Sequence, residues 1–214
     1  MRVAIMQPYF MPYLGYFRLF AATDLFVVYD CVQFPARGFV HRNYLTDALG
    51  RRRWLTLPVQ RCPRNTVIRD VRLDTDREEL VRRMRRFPAL ERESPVLEQV
   101  TRLREELSPY LEETLAAVCR TLGLAWNVVR SSELSIDPKL RGQDRILALV
   151  NAVGGKSYLN APGGRDLYSS EEFARRGLEL RFLSPYTGDH ASVLERLSLE
   201  SGQALRREME AQLR

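Results

Sequence analysis

The residues able to do chemistry fall in three short stretches of the 214-residue chain. The first is Gln7-Pro8-Tyr9-Phe10-Met11-Pro12-Tyr13-Leu14-Gly15-Tyr16, and the second runs from Asp30 to Asn43 through Gln33, Arg37, His41 and Arg42. Aromatic rings supply flat apolar walls, and Gln, Asp, Arg, His and Asn supply directional hydrogen bonds, the make-up of a small-molecule pocket. Asp30 closes an apolar run and could act as a general base, a cation anchor or a helix cap. His41 is one of two histidines, and imidazole titrates where proton transfer is useful. Arg37 and Arg42 could hold a phosphate or carboxylate by two hydrogen bonds at once. Cys31 is the one cysteine placed to be a nucleophile, but a neighbouring carboxylate would raise its pKa, against that role.

The third stretch runs from Gly154 to Tyr168 and holds Gly154-Gly155, Lys156, Tyr158, Asn160, Gly163-Gly164 and Arg165. Paired glycines let backbone amides approach a ligand, and Lys156 or Arg165 could neutralise an anion. The spacing matches neither the GxxxxGK[ST] nor the GxGxxG phosphate motif, so a plain turn is an equal reading.

Periodicity suggests the elements that must position these groups. Arg2 to Met6 reads as a buried strand stopped by Gln7-Pro8, residues 13–22 as a buried helix, and Leu25 to Tyr29 as a second buried strand. Strand, helix and strand within about 30 residues is the size of a parallel βαβ unit, so an α/β fold is expected. Strands are expected over Trp54–Val59, Val67–Leu73, Asn127–Arg130, Ser157–Asn160 and Leu178–Leu183. A helix is expected over Arg145–Val153 and another from about residue 201. Residues 76–122 are charged and broken by Pro88, Pro95 and Pro109, which predicts a helical insertion or cap within a single domain spanning 1–214. Its last helix places Leu115, Val118, Cys119 and Leu122 on one face and ends at Gly123, so Cys119 reads as core.

Composition narrows the classes. With 45% apolar and 28% charged residues, the chain is neither disordered nor a disulfide scaffold. Three cysteines without a CxxC pair argue against a structural zinc site, and no metal is expected. The net charge of +6 rests on 33 basic residues of which only Lys139 and Lys156 are lysines. Many arginines alternate with glutamates, as along 82–93 and 102–106, the pattern of solvated helix faces, so nucleic acid is not the expected partner. No run approaches the ~18 apolar residues of a membrane helix, and no signal peptide is evident, so a cytoplasmic protein is expected.

Together these residues carry a resemblance. Ala4-Ile5-Met6-Gln7-Pro8-Tyr9-Phe10-x-Pro12-Tyr13-x-Gly15-Tyr16-Phe17, Val28-Tyr29-Asp30-x-Val32-Gln33-Phe34, Arg42-Asn43, Arg145-Ile146 and the 154–168 stretch look like the WbqC-like family. The resemblance implies a transferase of surface-polysaccharide or natural-product biosynthesis that acylates or aminoacylates an amine, with glycyl transfer to an amino sugar as an example. Cys31 stands where a second acid is expected in many relatives, so paired-carboxylate chemistry does not carry over. More distantly, the opening 30 residues are similar to pantothenate synthetases and nucleotidylyltransferases, which implies a Rossmann-like (HUP-like) parallel sheet with helices on both faces. The HxGH motif of those enzymes would be Tyr13-x-Gly15-Tyr16 here, which removes the imidazoles that hold ATP phosphates.

The leading expectation is therefore acyl or aminoacyl transfer from a phosphopantetheine-bound or coenzyme A thioester to a small amine. Asp30 or His41 would take the proton, and Gln7, Arg42 and Asn43 would orient substrates and stabilise the oxyanion. Tyr9, Tyr13, Tyr16, Gln33, Arg37, Lys156, Tyr158, Asn160, Gly163 and Gly164 would bind substrate. The alternatives are an ATP-dependent ligase or nucleotidylyltransferase, and a non-catalytic protein that binds an acyl or peptidyl carrier protein or a pathway enzyme.

Overall fold

A computed structural model describes residues 1–213. The strands among these residues are β1 (Arg2–Met6), β2 (Leu25–Val28), β3 (Arg42–Thr46), β4 (Arg52–Thr56), β5 (Val128–Arg130), β6 (Ser157–Asn160) and β7 (Glu179–Phe182). The helices are α1 (Arg18–Ala22), α2 (Arg77–Met84), α3 (Pro95–Thr101), α4 (Leu107–Thr121), α5 (Gly142–Ala152), α6 (Ser170–Arg175), α7 (Val193–Leu199) and α8 (Gly202–Glu210). Five strands form one sheet in the order β5-β2-β1-β6-β7, with every neighbouring pair parallel. The chain winds outward from β1 through β2 to β5, then returns to the other side of β1 to lay down β6 and β7. That reversal makes the fold doubly wound and Rossmann-like, with its switch point between β1 and β6.

Alternation along the strands divides the core. Val3, Ile5 and Val27 point to one face and pack with Ile146, Leu149 and Val150 of α5. Ala4, Phe26 and Val28 point to the other and pack with Leu19 of α1 and Leu115 and Val118 of α4. Burial on both faces is why these strands are unbroken apolar runs. Gly123 and Gly154 both adopt positive φ, ending α4 and α5 as left-handed caps.

Several elements differ from expectation. The expected strand Val67–Leu73 is a 3-10 turn over Ile68–Asp70 flanked by single bridges, because its buried Ile68, Val71 and Leu73 dock into the core without a long partner strand. The strand expected at Trp54–Val59 is shifted to Arg52–Thr56, paired with β3 in a separate hairpin whose other half was hidden among polar residues. The short helices α6 and α7 were also hidden. Within residues 76–122, α4 is buried against the main sheet, whereas α2 and α3 pack beside α4 and the hairpin.

Candidate functional site

The carboxyl ends of β1 and β6 lie side by side, and a cavity of about 440 Å³ opens beyond them. Doubly wound sheets place ligands in this crevice because the connections leaving the two neighbouring strands run to opposite faces of the sheet where the winding reverses. Gln7 follows β1 and Asn160 ends β6, so their carboxamides flank the opening. The Gln7 side chain and the Asn160 Nδ2 make no hydrogen bond among the described residues. Asn160 Oδ1 accepts from the Ala161 amide at 2.8 Å, which fixes the Nδ2 direction. Tyr9, Tyr13, Tyr16, Tyr158, Gly163 and Gly164 complete the wall, joined by Arg18, Tyr29 and Tyr168. Sequence stretches one and three thus converge.

The phenols here are neutral. Burial pushes the pKa of Tyr9, Tyr13, Tyr16, Tyr158 and Tyr168 upward, and that of Tyr29 to about 12. Arg18 is the single charged side chain lining this cavity among the described residues. It is fully enclosed and donates to the Ser184 carbonyl at 2.9 Å, the Ser184 hydroxyl at 2.8 Å and the Gln212 carbonyl at 2.5 Å. Its signal in the sequence was a lone charge inside an apolar helical run.

A second cavity, of about 550 Å³, shares Tyr9 and Tyr13 with the first. Asn43, Tyr44, Phe39, Arg52, Asp189, His190 and Glu195 line it. His190 stacks on Tyr13 with ring centroids 4.9 Å apart. The Glu195 carboxylate accepts from the Thr46 amide at 3.1 Å, which ties α7 to the hairpin. His190 and Glu195 went unnoticed in the sequence because the residues after Tyr168 show no motif. The available hint was a second histidine directly after an aspartate.

The loop between the cavities is held under strain. Met11 has φ +44°, an unfavourable region for a residue with a side chain. Its carbonyl accepts from Asn43 Nδ2 at 2.5 Å and from Ser192 Oγ at 2.7 Å, and the Asn43 amide also donates to the Phe10 carbonyl. Asn43 therefore clamps the segment that carries Tyr9 and Tyr13, and Ser192 couples it to the His190 loop.

The remaining sequence candidates lie elsewhere. Asp30 is completely buried. Its Oδ1 accepts from Ser131 Oγ at 2.9 Å and the Ser132 amide at 3.0 Å, and its Oδ2 accepts from Ser132 Oγ at 2.7 Å and Ser108 Oγ at 3.3 Å. It fastens β2 to the start of the turn after β5 and lines neither cavity. His41 is buried beside Phe34, and burial with the Arg42 charge lowers its pKa to about 4. It faces neither cavity, and a base needed near neutrality would have to be reached by substrate. Arg42 lies over the Trp54 ring at 4.1 Å and donates to the Arg37 carbonyl at 2.7 Å, and the exposed Arg37 side chain lines no cavity described here. Gln33 lines a third cavity with Cys31. Lys156 precedes β6, at the sheet's opposite end from the crevice, and is exposed. Gly155 before it is a packing glycine, since a Cβ there would lie 2.8 Å from Val150 and Val3.

The profile described as the WbqC-like protein family matches residues 7–191. An uncharacterized protein of Mycobacterium tuberculosis, Rv1507c, is 29% identical over 187 residues, covering 80% of this chain and 77% of that protein. No solved structure matches the chain. No described helix is long and apolar enough to cross a membrane.

Proposed function

The chain belongs to the WbqC-like protein family, and on that premise we propose that it is a biosynthetic transferase. It moves an acyl or aminoacyl group, such as glycyl, from an activated thioester to a small amine, an amino sugar being one such acceptor. The observation that carries this reading is the pair of cavities meeting at Tyr9 and Tyr13, one lined by a single charged side chain and the other by Arg52, Asp189, His190 and Glu195. A transfer needs two substrates brought edge to edge, and its rate gain comes largely from that alignment.

The crevice suits the donor. Its neutral phenols and free carboxamides match the uncharged acyl group and amide-rich arm of a pantetheine-type thioester, and Gln7 and Asn160 can donate to the carbonyl oxygen as charge develops. The second cavity suits the acceptor: Asp189 and Glu195 draw an ammonium, and aromatic Phe39 and Tyr44 cover its apolar face. His190 replaces Asp30 and His41 as the proton acceptor, since its imidazole reaches the boundary that the Asp30 carboxylate and the His41 imidazole do not. His190 takes one proton from the bound ammonium and frees the nitrogen lone pair; the amine nitrogen attacks the thioester carbonyl, a C–N bond forms as the C–S bond breaks, and a second N–H proton passes to the departing thiolate.

ATP fits the crevice less well. A triphosphate would meet one guanidinium there, already engaged with Ser184 and Gln212. The test is a thermal-shift panel of ATP with magnesium, acyl and aminoacyl thioesters of coenzyme A, an aminoacylated carrier protein and nucleotide amino sugars. Hits are followed by mass spectrometry of the acceptor. Stabilisation by thioester and amine together with a mass gain of one acyl group supports transfer. An ATP shift that appears alone, with pyrophosphate release, overturns it in favour of an adenylating enzyme.

A further inference from the structure

Beyond the carboxyl ends of β2 and β5 lies a third cavity, of about 520 Å³, that the proposed transfer leaves unused. Arg69, from the 3-10 turn over residues 68–70, and Arg141 and Arg145, from the start of α5, all line it, and no carboxylate does. Asp30 lies behind the wall with both oxygens taken by serines. Arg141 and Arg145 form no ion pair among the described residues. Their hydrogen bonds run to the carbonyls of Pro138, Leu140 and Cys31, which carry no net charge. Arg145 is 7% exposed and its Nε has no partner. Arg69 meets only the exposed Asp70, at 3.6 Å.

A guanidinium that is largely enclosed without a counter-charge is costly, and an anion supplied from outside removes that cost. The eleven-residue helix α5 adds the positive end of its dipole: no side chain caps its N-terminus, and the Asp144 carboxylate of its first turn pairs with Arg176 at 3.2 Å outside the cavity lining. We propose that this cavity is an anion site that takes the phosphoryl group of a phosphate-bearing ligand. Three convergent guanidiniums match the charge and the several acceptor oxygens of a phosphate better than those of a single carboxylate. The inference stands on this cavity alone and does not depend on the transfer reaction.

The cavity carries its own reporter. Cys31 lines it, with Sγ 3.8 Å from Arg145 Nη1, whereas Cys119 is buried in the core. The experiment is residue-resolved alkylation of the full-length protein by iodoacetamide, titrated with inorganic phosphate at constant ionic strength. Cys31 should react about fivefold more slowly at about four times the phosphate dissociation constant, as single-site occupancy requires, while the rate at Cys62 stays constant. R69Q and R141Q, both at exposed positions, should lose the protection and keep the melting temperature. Parallel arms with phosphopantetheine and a nucleoside monophosphate identify which carrier of the phosphoryl group protects at the lower concentration. A Cys31 rate indifferent to all three phosphates, or protection undiminished in both variants, overturns the proposal.

Discussion

His190 and Tyr13 lie ring on ring, 4.9 Å between centroids with 22° between planes, although 177 positions separate them in the chain. The stack is set by a bridge between Tyr13 and Ser192 and by the Val193 amide donating to the Pro12 carbonyl at 2.9 Å. Three segments distant in sequence, 7–16, 39–46 and 189–195, thereby meet at one partition between two cavities.

His190→Gln should lower the rate of acyl transfer by about 10²–10⁴-fold, the usual worth of a positioned general base. The imidazole is exposed, so the melting temperature should hold. Rate and thermal unfolding measured on one preparation separate the two effects. An unchanged rate removes His190 from the chemistry.

The crevice should weaken in steps when its free carboxamides are removed. Gln7→Ala forfeits hydrogen bonding to the ligand of about 1–1.5 kcal/mol, or roughly tenfold in Kd. Gly164→Ala should act through Asn160, because a Cβ at residue 164 would collide with the Asn160 amide and turn it aside. Calorimetric titration of the donor thioester gives both values, and the folded state should tolerate both changes.

Asp30→Asn should cost stability rather than chemistry. The amide of asparagine would confront the Ser132 N–H and serine hydroxyls that now donate to the carboxylate, leaving donors unpaired in a buried place. A loss of about 2–4 kcal/mol in urea unfolding is expected. Full stability with abolished turnover would instead return Asp30 to the reaction.

The buried imidazole of His41 makes stability pH-dependent. Its pKa falls from 6.5 to about 4 on folding, chiefly through burial and secondarily through Arg42. The unfolded chain therefore takes up the proton first. Stability is full above about pH 6.5 and declines as pH falls toward 4, by about 2 kcal/mol after allowance for solvent screening. His41→Leu should flatten this acid limb. Parallel slopes for both proteins in urea midpoint against pH would show that other groups carry it.

Much of the sheet was legible in sequence because β1 and β2 are buried on both faces and so read as nearly unbroken apolar runs. Gly123 and Gly154 likewise announced the helix ends that their positive φ requires. The hairpin strand β3 was not legible, since Arg42, Asn43 and Tyr44 are drawn from polar and aromatic types that serve equally in loops. Only its register with β4, which sets Tyr44 on Trp54 at 3.5 Å, identifies it.

By itself the sequence determined that β1 stops before Gln7 and β6 at Asn160, with aromatic residues after one and glycines after the other. It could do so because local pattern fixes where a strand stops. Tertiary structure alone decided which candidates share a space. Strand order brought Gln7 beside Asn160, while full burial among three serines withdrew Asp30, and packing of the C-terminal loop on Tyr13 delivered His190. Chain direction and strand pairing are long-range properties, and a residue's type records what it can do without recording what it will face.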